Sequence, residues 1–359
     1  MRHSFSRRRA RVTKDGAPGA MPAGAKMSGG MSRFLAILVV VAAVVAGAWL
    51  WESANFAAPG PAARNGAQQT VVEIAPRQSL WTIANQLRNA GTIQSATLFA
   101  IGVRMRGEGA FLKAGEYAIP SHVSMKGIAG ILVAGRVVEH RITAAEGLTS
   151  QMIASIVDRD PELAGPPQSA PEEGTLLPET YLYTKGTGRS AMLERMRAAQ
   201  ARFLARAWPA RLPDLPFRSR REAVTLASIV EKETAIPDER RHVAAVFVNR
   251  LRLGMKLESD PTVIYGISKG YPLGHGIRAS ELAAFTAYNT YVVSGLPPTP
   301  ICNPGKDSIL AVLRPEQSSD LYFVADGTGG HAFASSKNEH ERNVARWRQI
   351  ENAALRVKK

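Results

Sequence analysis

The chain has 359 residues, 45% of them hydrophobic, enough for two domains with an ordinary buried core. Its net charge of +15 is uneven: residues 1–33 carry +7 and the rest only +8, so the body offers a diffuse attraction to polyanions rather than a nucleic-acid surface. One cysteine, Cys302, excludes an intrachain disulfide, and the seven histidines show neither an HExxH spacing nor a Cys/His zinc set, so no metal and no cofactor is expected.

The basic tail, residues 1–33, is followed by "FLAILVVVAAVVAGAWLW", an uncharged run over 34–51 of the length that crosses a bilayer. Arg33 before it and Glu52 after it orient it with the tail in the cytoplasm and the body outside, which also removes nucleic acid as a partner. A cleaved signal peptide, cut near "AGA" (46–48), is the rival reading. The long basic region before the run and the interfacial positions of Trp49 and Trp51 favour an uncleaved anchor. Residues 52–69 are mostly Ala, Pro, Gly, Asn and Gln and read as a linker.

A small α+β unit is expected over 70–136. Thr70 to Ile74 is rich in β-formers. Ser79 is a helix N-cap for Leu80, Ile83, Ala84 and Leu87, and Gly91 closes that run. A second helix covers Ser95 to Arg106. "LKAGEYAIP" is a short strand, and "SMKGIAGILVAG" is a short helix closed by Gly135. From 137 to 350 a mixed α+β domain is expected. It starts with a strand (137–142) and a helix capped at Thr149 or Ser150, then a Pro/Glu/Gly-rich loop over 158–175. Helices follow at about 189–207, 219–233 and 239–253. Asp260 is read as the N-cap of the next helix, with Pro261 at its first position. "LYFVADGTGGHAFA" is a hairpin around a Gly-rich turn. The fold class is therefore α+β behind a single N-terminal transmembrane helix.

"TLASIVEKETA" (225–235) is a buried-looking helix that ends in two carboxylates. Residues two apart on a helix lie about 200° apart around its axis, so Glu231 and Glu233 face opposite ways. Glu233 lies over Leu226, Ile229 and Val230, the more apolar face. A carboxyl desolvated there holds its proton nearer neutrality and can serve as a general acid, whereas two solvated charges at a helix end would have no such role. Asn249 and Arg250 inside an apolar helix, and Tyr288 to Tyr291 before a Gly-Leu-Pro-Pro turn, have the amides and rings that suit a sugar ligand. A hydrogen-bonded core would use the same residues.

"LASIVEKETAIPDERRHVAAVFVNRLRLGMKLESDPTVIYG", "TAYNTYVVSGLPPTPICNPG" and "LYFVADGTGGHAF" together resemble the YceG-like family of endolytic murein transglycosylases. "EGLTSQMIASIV" and "EGTLLPETYLY" are similar to its upstream segments. The resemblance spans roughly residues 70–350; the basic tail lies outside it. It implies a LysM-like subdomain at 70–136 and a catalytic transglycosylase domain at 137–350. It also implies an anchor in the bacterial inner membrane with the body in the periplasm. The implied reaction is cleavage of the MurNAc–GlcNAc bond within nascent peptidoglycan strands to leave 1,6-anhydro-MurNAc ends. Glu233, the second glutamate of E-K-E-T, takes the catalytic position, first as acid and then as base. Asn249, Asp260, Thr262, Tyr288 and Asn289 fall on matching motifs and are the expected substrate-binding residues. Peptidoglycan strands, the membrane and cell-wall synthesis enzymes are the implied partners. Two alternatives stay open: a water-using muramidase with Glu258 or Asp260 as second carboxylate, and a non-catalytic, membrane-anchored peptidoglycan-binding scaffold.

Overall fold

The computed structural model describes residues 29–357. Most of the expected basic tail lies outside these residues. Helix α1 (Gly29–Ala57) contains one apolar stretch, Met31–Ala57, long enough to cross a membrane, and the most apolar part of it is not buried among the described residues. α1 does not end where the apolar run ends. Glu52 and Phe56 are buried in the next unit, Glu52 facing Arg106 at 3.5 Å. This corrects the reading of 52–69 as linker from its first residue: an aromatic and a paired carboxylate one turn apart extend the helix into a packed contact that average composition hides. Extended and turn structure, with one short 3-10 turn, begins only after Ala57.

The first unit contains β1 (Gln69–Ile74), α2 (Leu80–Asn89), α3 (Ala96–Met105), β2 (Gly115–Pro120) and α4 (Met125–Ala134). β1 and β2 pair antiparallel, with Val72 opposite Tyr117. Each helix starts on a serine hydroxyl that accepts from the backbone N–H three residues on, Ser79 from Thr82, Ser95 from Leu98 and Ser124 from Gly127. Gly135 ends α4 at φ +70°, a left-handed conformation that suits a residue without Cβ. Val72, Ile83, Leu87, Phe99, Tyr117 and Leu132 form its core, with Phe56 of α1 among them.

Residues 140–207 hold β3 (His140–Thr143), α5 (Ser150–Arg159), β4 (Thr180–Tyr183) and α6 (Arg189–Ala207). β3 starts at His140 rather than 137, and its antiparallel partner β4, in a stretch for which no element was expected, gives it a ladder. This unit has its own apolar cluster, including Ile142, Ile153, Leu176, Tyr181 and Met192. A third cluster lies under α7 (Arg220–Glu233), α8 (Arg240–Arg252), α9 (Asp260–Ser268) and α11 (Lys306–Leu313), with the short α10 (Ala279–Ala283) between α9 and α11 in the chain. The hairpin of β5 (Tyr322–Ala325) and β6 (His331–Ala334) packs onto it, and α12 (Lys337–Val357) follows. The expected single domain 137–350 therefore rests on two cores. Asn303, fully buried, joins them: its amide donates to Leu148 O, Ser150 Oγ and Glu173 Oε1, and its carbonyl oxygen accepts from Leu176 N at 2.9 Å.

Candidate active site

α7 aims the two glutamates. A capping box fixes its start: Ser219 Oγ accepts from Glu222 N, and Glu222 Oε2 accepts from Ser219 N. The backbone N–H of Arg218, and after it that of Ser219, hold the Glu222 carboxyl below its usual range. Every residue from Ala223 to Val230 is buried, so the helix cannot rotate to relocate its last turn. At that turn the carboxylates part as the helical period requires. Glu231 Oε2 accepts from Gly305 N at 2.8 Å, tying α7 to the start of α11. Glu146 lies close to it, its carboxyl pushed up by burial and then by the Glu231 charge. A Cβ on Gly305 would meet the Glu146 carboxyl, which would have to swing aside.

Glu233 turns the other way. Ser259 Oγ donates to its Oε1 at 2.5 Å. Glu233 is half-buried, which desolvates the carboxyl while leaving it reachable. Burial, and to a smaller degree the neighbouring Asp260 charge, push its pKa up to about 7; the Ser259 hydrogen bond, His331 and Arg250 pull against that rise. The carboxyl therefore exchanges its proton near neutrality.

The loop carrying Ser259 is held from three sides. Arg250, buried on α8, donates to the carbonyls of Lys256, Leu257 and Leu321 and to Glu258 Oε2. Thr290 Oγ1 accepts from Ser259 N at 3.0 Å and bonds Thr262 Oγ1 at 2.9 Å. Thr262 Oγ1 also donates to Ser259 O at 2.6 Å. Ser259, not Asp260, is the N-cap of α9, and its hydroxyl makes no capping bond because it is turned to Glu233. Asp260 is the first residue of the helix, exposed, and accepts from Tyr291 Oη at 2.7 Å. On the far side, β6 brings His331, whose Nδ1 pairs with Glu239 at 2.7 Å.

The expected site residues divide. Glu233 and Asp260 come together beside Ser259, with Tyr291. Tyr288 is half-buried, bonds Thr299 through its hydroxyl and meets the Tyr265 ring at 4.8 Å, with the Lys269 ammonium 5.0 Å from its own ring. Three others make hydrogen bonds within the protein's own framework. Thr262 is fully buried in the network under Ser259. Asn289 is fully buried, its amide nitrogen donating to the carbonyls of Leu282 and Ala284 and its oxygen accepting from Tyr291 N. Asn249 clamps the carbonyls of Ser318 and Asp320. Ser259, His331 and Glu239 carried no signal in the sequence reading. Ser259 stands next to Asp-Pro, where an N-cap is common, and only the distant Glu233 gives its hydroxyl another role. A cavity of about 730 Å³ lined by Phe203, Arg206, Arg240 and Leu310 lies elsewhere, and Glu233 is not among its lining residues. Among the described residues no group of three or more His, Cys, Asp and Glu is placed to hold a metal.

The family profile that matches is the YceG-like family, over residues 72–346. Two relatives are both named endolytic murein transglycosylase. The one from Streptococcus pneumoniae is 35% identical over 180 residues, 48% of this chain and 32% of its own length. The one from Bacillus subtilis is 38% identical over 121 residues, 33% of this chain and 32% of its own. The chain thus spans about a third of the length of these relatives. The crystal structure of a YceG-like protein from Listeria monocytogenes aligns with 76% of this chain and 98% of its own at 28% identity, with a TM-score of 0.47.

Proposed function

The chain belongs to the YceG-like family, and on that premise we propose that it is an endolytic lytic transglycosylase of peptidoglycan with Glu233 as its one acid/base. The observation that carries this reading is the Glu233 carboxyl: half-buried, titrating at about 7 and held by one hydroxyl. Ser259 donates to Oε1, so the acid proton sits on Oε2, free to be delivered. In the first half-reaction that proton passes to the glycosidic oxygen between MurNAc C1 and GlcNAc as the C1–O bond breaks. In the second, the carboxylate removes the proton of the MurNAc C6 hydroxyl as O6 bonds C1, closing the 1,6-anhydro ring. The proton returns to Glu233 and no water is consumed. Attack within one sugar replaces the second carboxylate of a hydrolase through proximity. A pKa near the working pH serves both steps, because each half-reaction starts from a different protonation state.

Around this centre the proposal places Asp260, Tyr288 and Tyr291 at the cleft surface, where polar oxygens and aromatic faces can meet hydroxyls and sugar rings. Thr262, Asn249 and Asn289 act beneath it. The unit at 70–136 takes the LysM-like role of holding glycan, α1 anchors the chain in the inner membrane, and the body works in the periplasm beside the enzymes that extend nascent strands. A muramidase reading would draw on Asp260, the carboxylate whose charge reaches Glu233; its bond from Tyr291 leaves it poorly free to activate water. The test is a digest of purified glycan strands by the wild-type protein and by Glu233→Gln, with products read by mass spectrometry. Anhydro ends inside long strands, absent with the variant, support the proposal. Reducing ends support a muramidase, and binding without cleavage supports a scaffold.

A further inference from the structure

α3 runs antiparallel to α1 and points its C-terminus toward the membrane segment. The Phe99 ring lies 6.2 Å from that of Phe56. One turn on, Gly102 is so close to α1 that a Cβ there would stand 2.4 Å from the Phe56 ring and 2.6 Å from Glu52 Oε1. At the helix end Arg106 pairs with Glu52 at 3.5 Å and covers the Phe56 ring at 4.1 Å. Moving from Phe99 to Arg106 thus descends α1 from Phe56 to Glu52, one residue from Trp51. With a rise of ~1.5 Å per residue, the end of α3 stands within about 2 Å of the height of Trp51. The headgroup layer of a bilayer is roughly 5–7 Å deep on each side, so this end and the turn after it fall within it.

The side chains there have the chemistry of that layer. Met105 is 51% exposed and Phe111, in the turn at Gly109–Phe111, is 64% exposed. Leu80 packs beside Gly109, and the residue after it, Trp81, is exposed at the start of α2. Arg104, Arg106 and Lys113 flank them, with Glu108 as the one acidic residue from 104 to 113. Apolar and aromatic groups among cations, continuous with a membrane-length helix, fit an anionic lipid surface. We infer that the Met105–Phe111 end of this unit rests in the headgroup layer of the membrane that α1 crosses, with Phe111, Met105 and Trp81 at the acyl boundary and Arg104 and Lys113 at lipid phosphates. The inference rests on α1 crossing a membrane and is independent of the reaction proposed above.

The test uses the full chain in vesicles of phosphatidylethanolamine and phosphatidylglycerol. Cys302 is fully buried, so an introduced surface cysteine is the site that takes a nitroxide label. Labels are placed at Phe111→Cys and, on exposed α5 surface, at Gln151→Cys. Collisions with oxygen, which partitions into lipid, are compared with collisions with a water-soluble nickel chelate. The oxygen-to-nickel ratio at position 111 is expected to exceed that at 151 several-fold, and adding Met105→Asp should bring it down toward the value at 151. Equal, water-like ratios at both positions would overturn the inference. A label at 111 shielded from both reagents would also overturn it, by assigning the patch to a protein or glycan partner.

Discussion

Ser259 donates its hydroxyl hydrogen to Glu233 Oε1 at 2.5 Å, across 26 residues of sequence and at the cost of its own capping bond to α9. That bond favours the carboxylate and so opposes the rise that burial imposes. Ser259→Ala should move the Glu233 titration upward and remove the bond that stabilises the carboxylate formed as the acid proton leaves. Hydrogen bonds to charged groups are worth about 1.5–3 kcal/mol, so a loss of ~10-fold or more in kcat near pH 7 is expected. The check is the pH profile of kcat, whose alkaline limb, where Glu233 loses the proton that starts the cycle, should shift to higher pH in the variant.

Asp260 acts in the opposite sense. Its charge raises the Glu233 pKa. Asp260→Asn should lower it and move the same limb toward lower pH. A two-variant profile therefore has opposite displacements around the wild type, which general loosening of the site would not produce.

The same carboxyl makes stability depend on pH. Its folded value, about 7, stands above the usual 4.5. Below about 4.5 the group is protonated in both states and costs nothing. As pH rises toward 7 the unfolded chain ionises first, so stability is lost across that window and the loss is complete above it. The shift corresponds to about 3 kcal/mol, and partial exposure reduces it toward ~2 kcal/mol. Glu233→Gln should therefore melt higher than wild type near pH 8 and no higher near pH 4, read by thermal denaturation at each pH.

Much of the fold was legible because caps and periodicity are local. Ser79, Ser95, Thr149 and Ser219 each begin the helix that their spacing predicts, and Gly135 ends one. What stayed hidden depends on partners far along the chain. β4 is four residues long and is a strand because β3 pairs with it from some forty residues earlier. α11, "KDSILAVL", is two turns whose solvent side holds Asp307 and the apolar Leu310, too little polar contrast to give it a period. The site divides in the same way. Opposite faces for Glu231 and Glu233 follow from helix geometry alone, and the structure sends one to Gly305 and the other to Ser259. Ser259 itself, and the depth to which Asn289 and Thr262 are buried, follow from how α8, α9 and the 281–291 segment pack, which no local pattern encodes.

Asn289 separates framework from ligand contact. Its side chain satisfies two backbone carbonyls and a backbone N–H from full burial. Asn289→Ala leaves those groups without partners at about 1–3 kcal/mol, so a fall in Tm is expected. For the fraction that stays folded, KM for glycan strands should change little. A large KM effect with an unchanged Tm would return Asn289 to the cleft surface.

The central claim, one carboxyl and no water, is tested most directly by digesting glycan strands in water enriched in oxygen-18. The account predicts anhydro ends that carry no label, and no new ends at all with Glu233→Gln. Product ends that carry one oxygen-18 at MurNAc C1 would contradict it, because water would then be the nucleophile and a second carboxylate would be required.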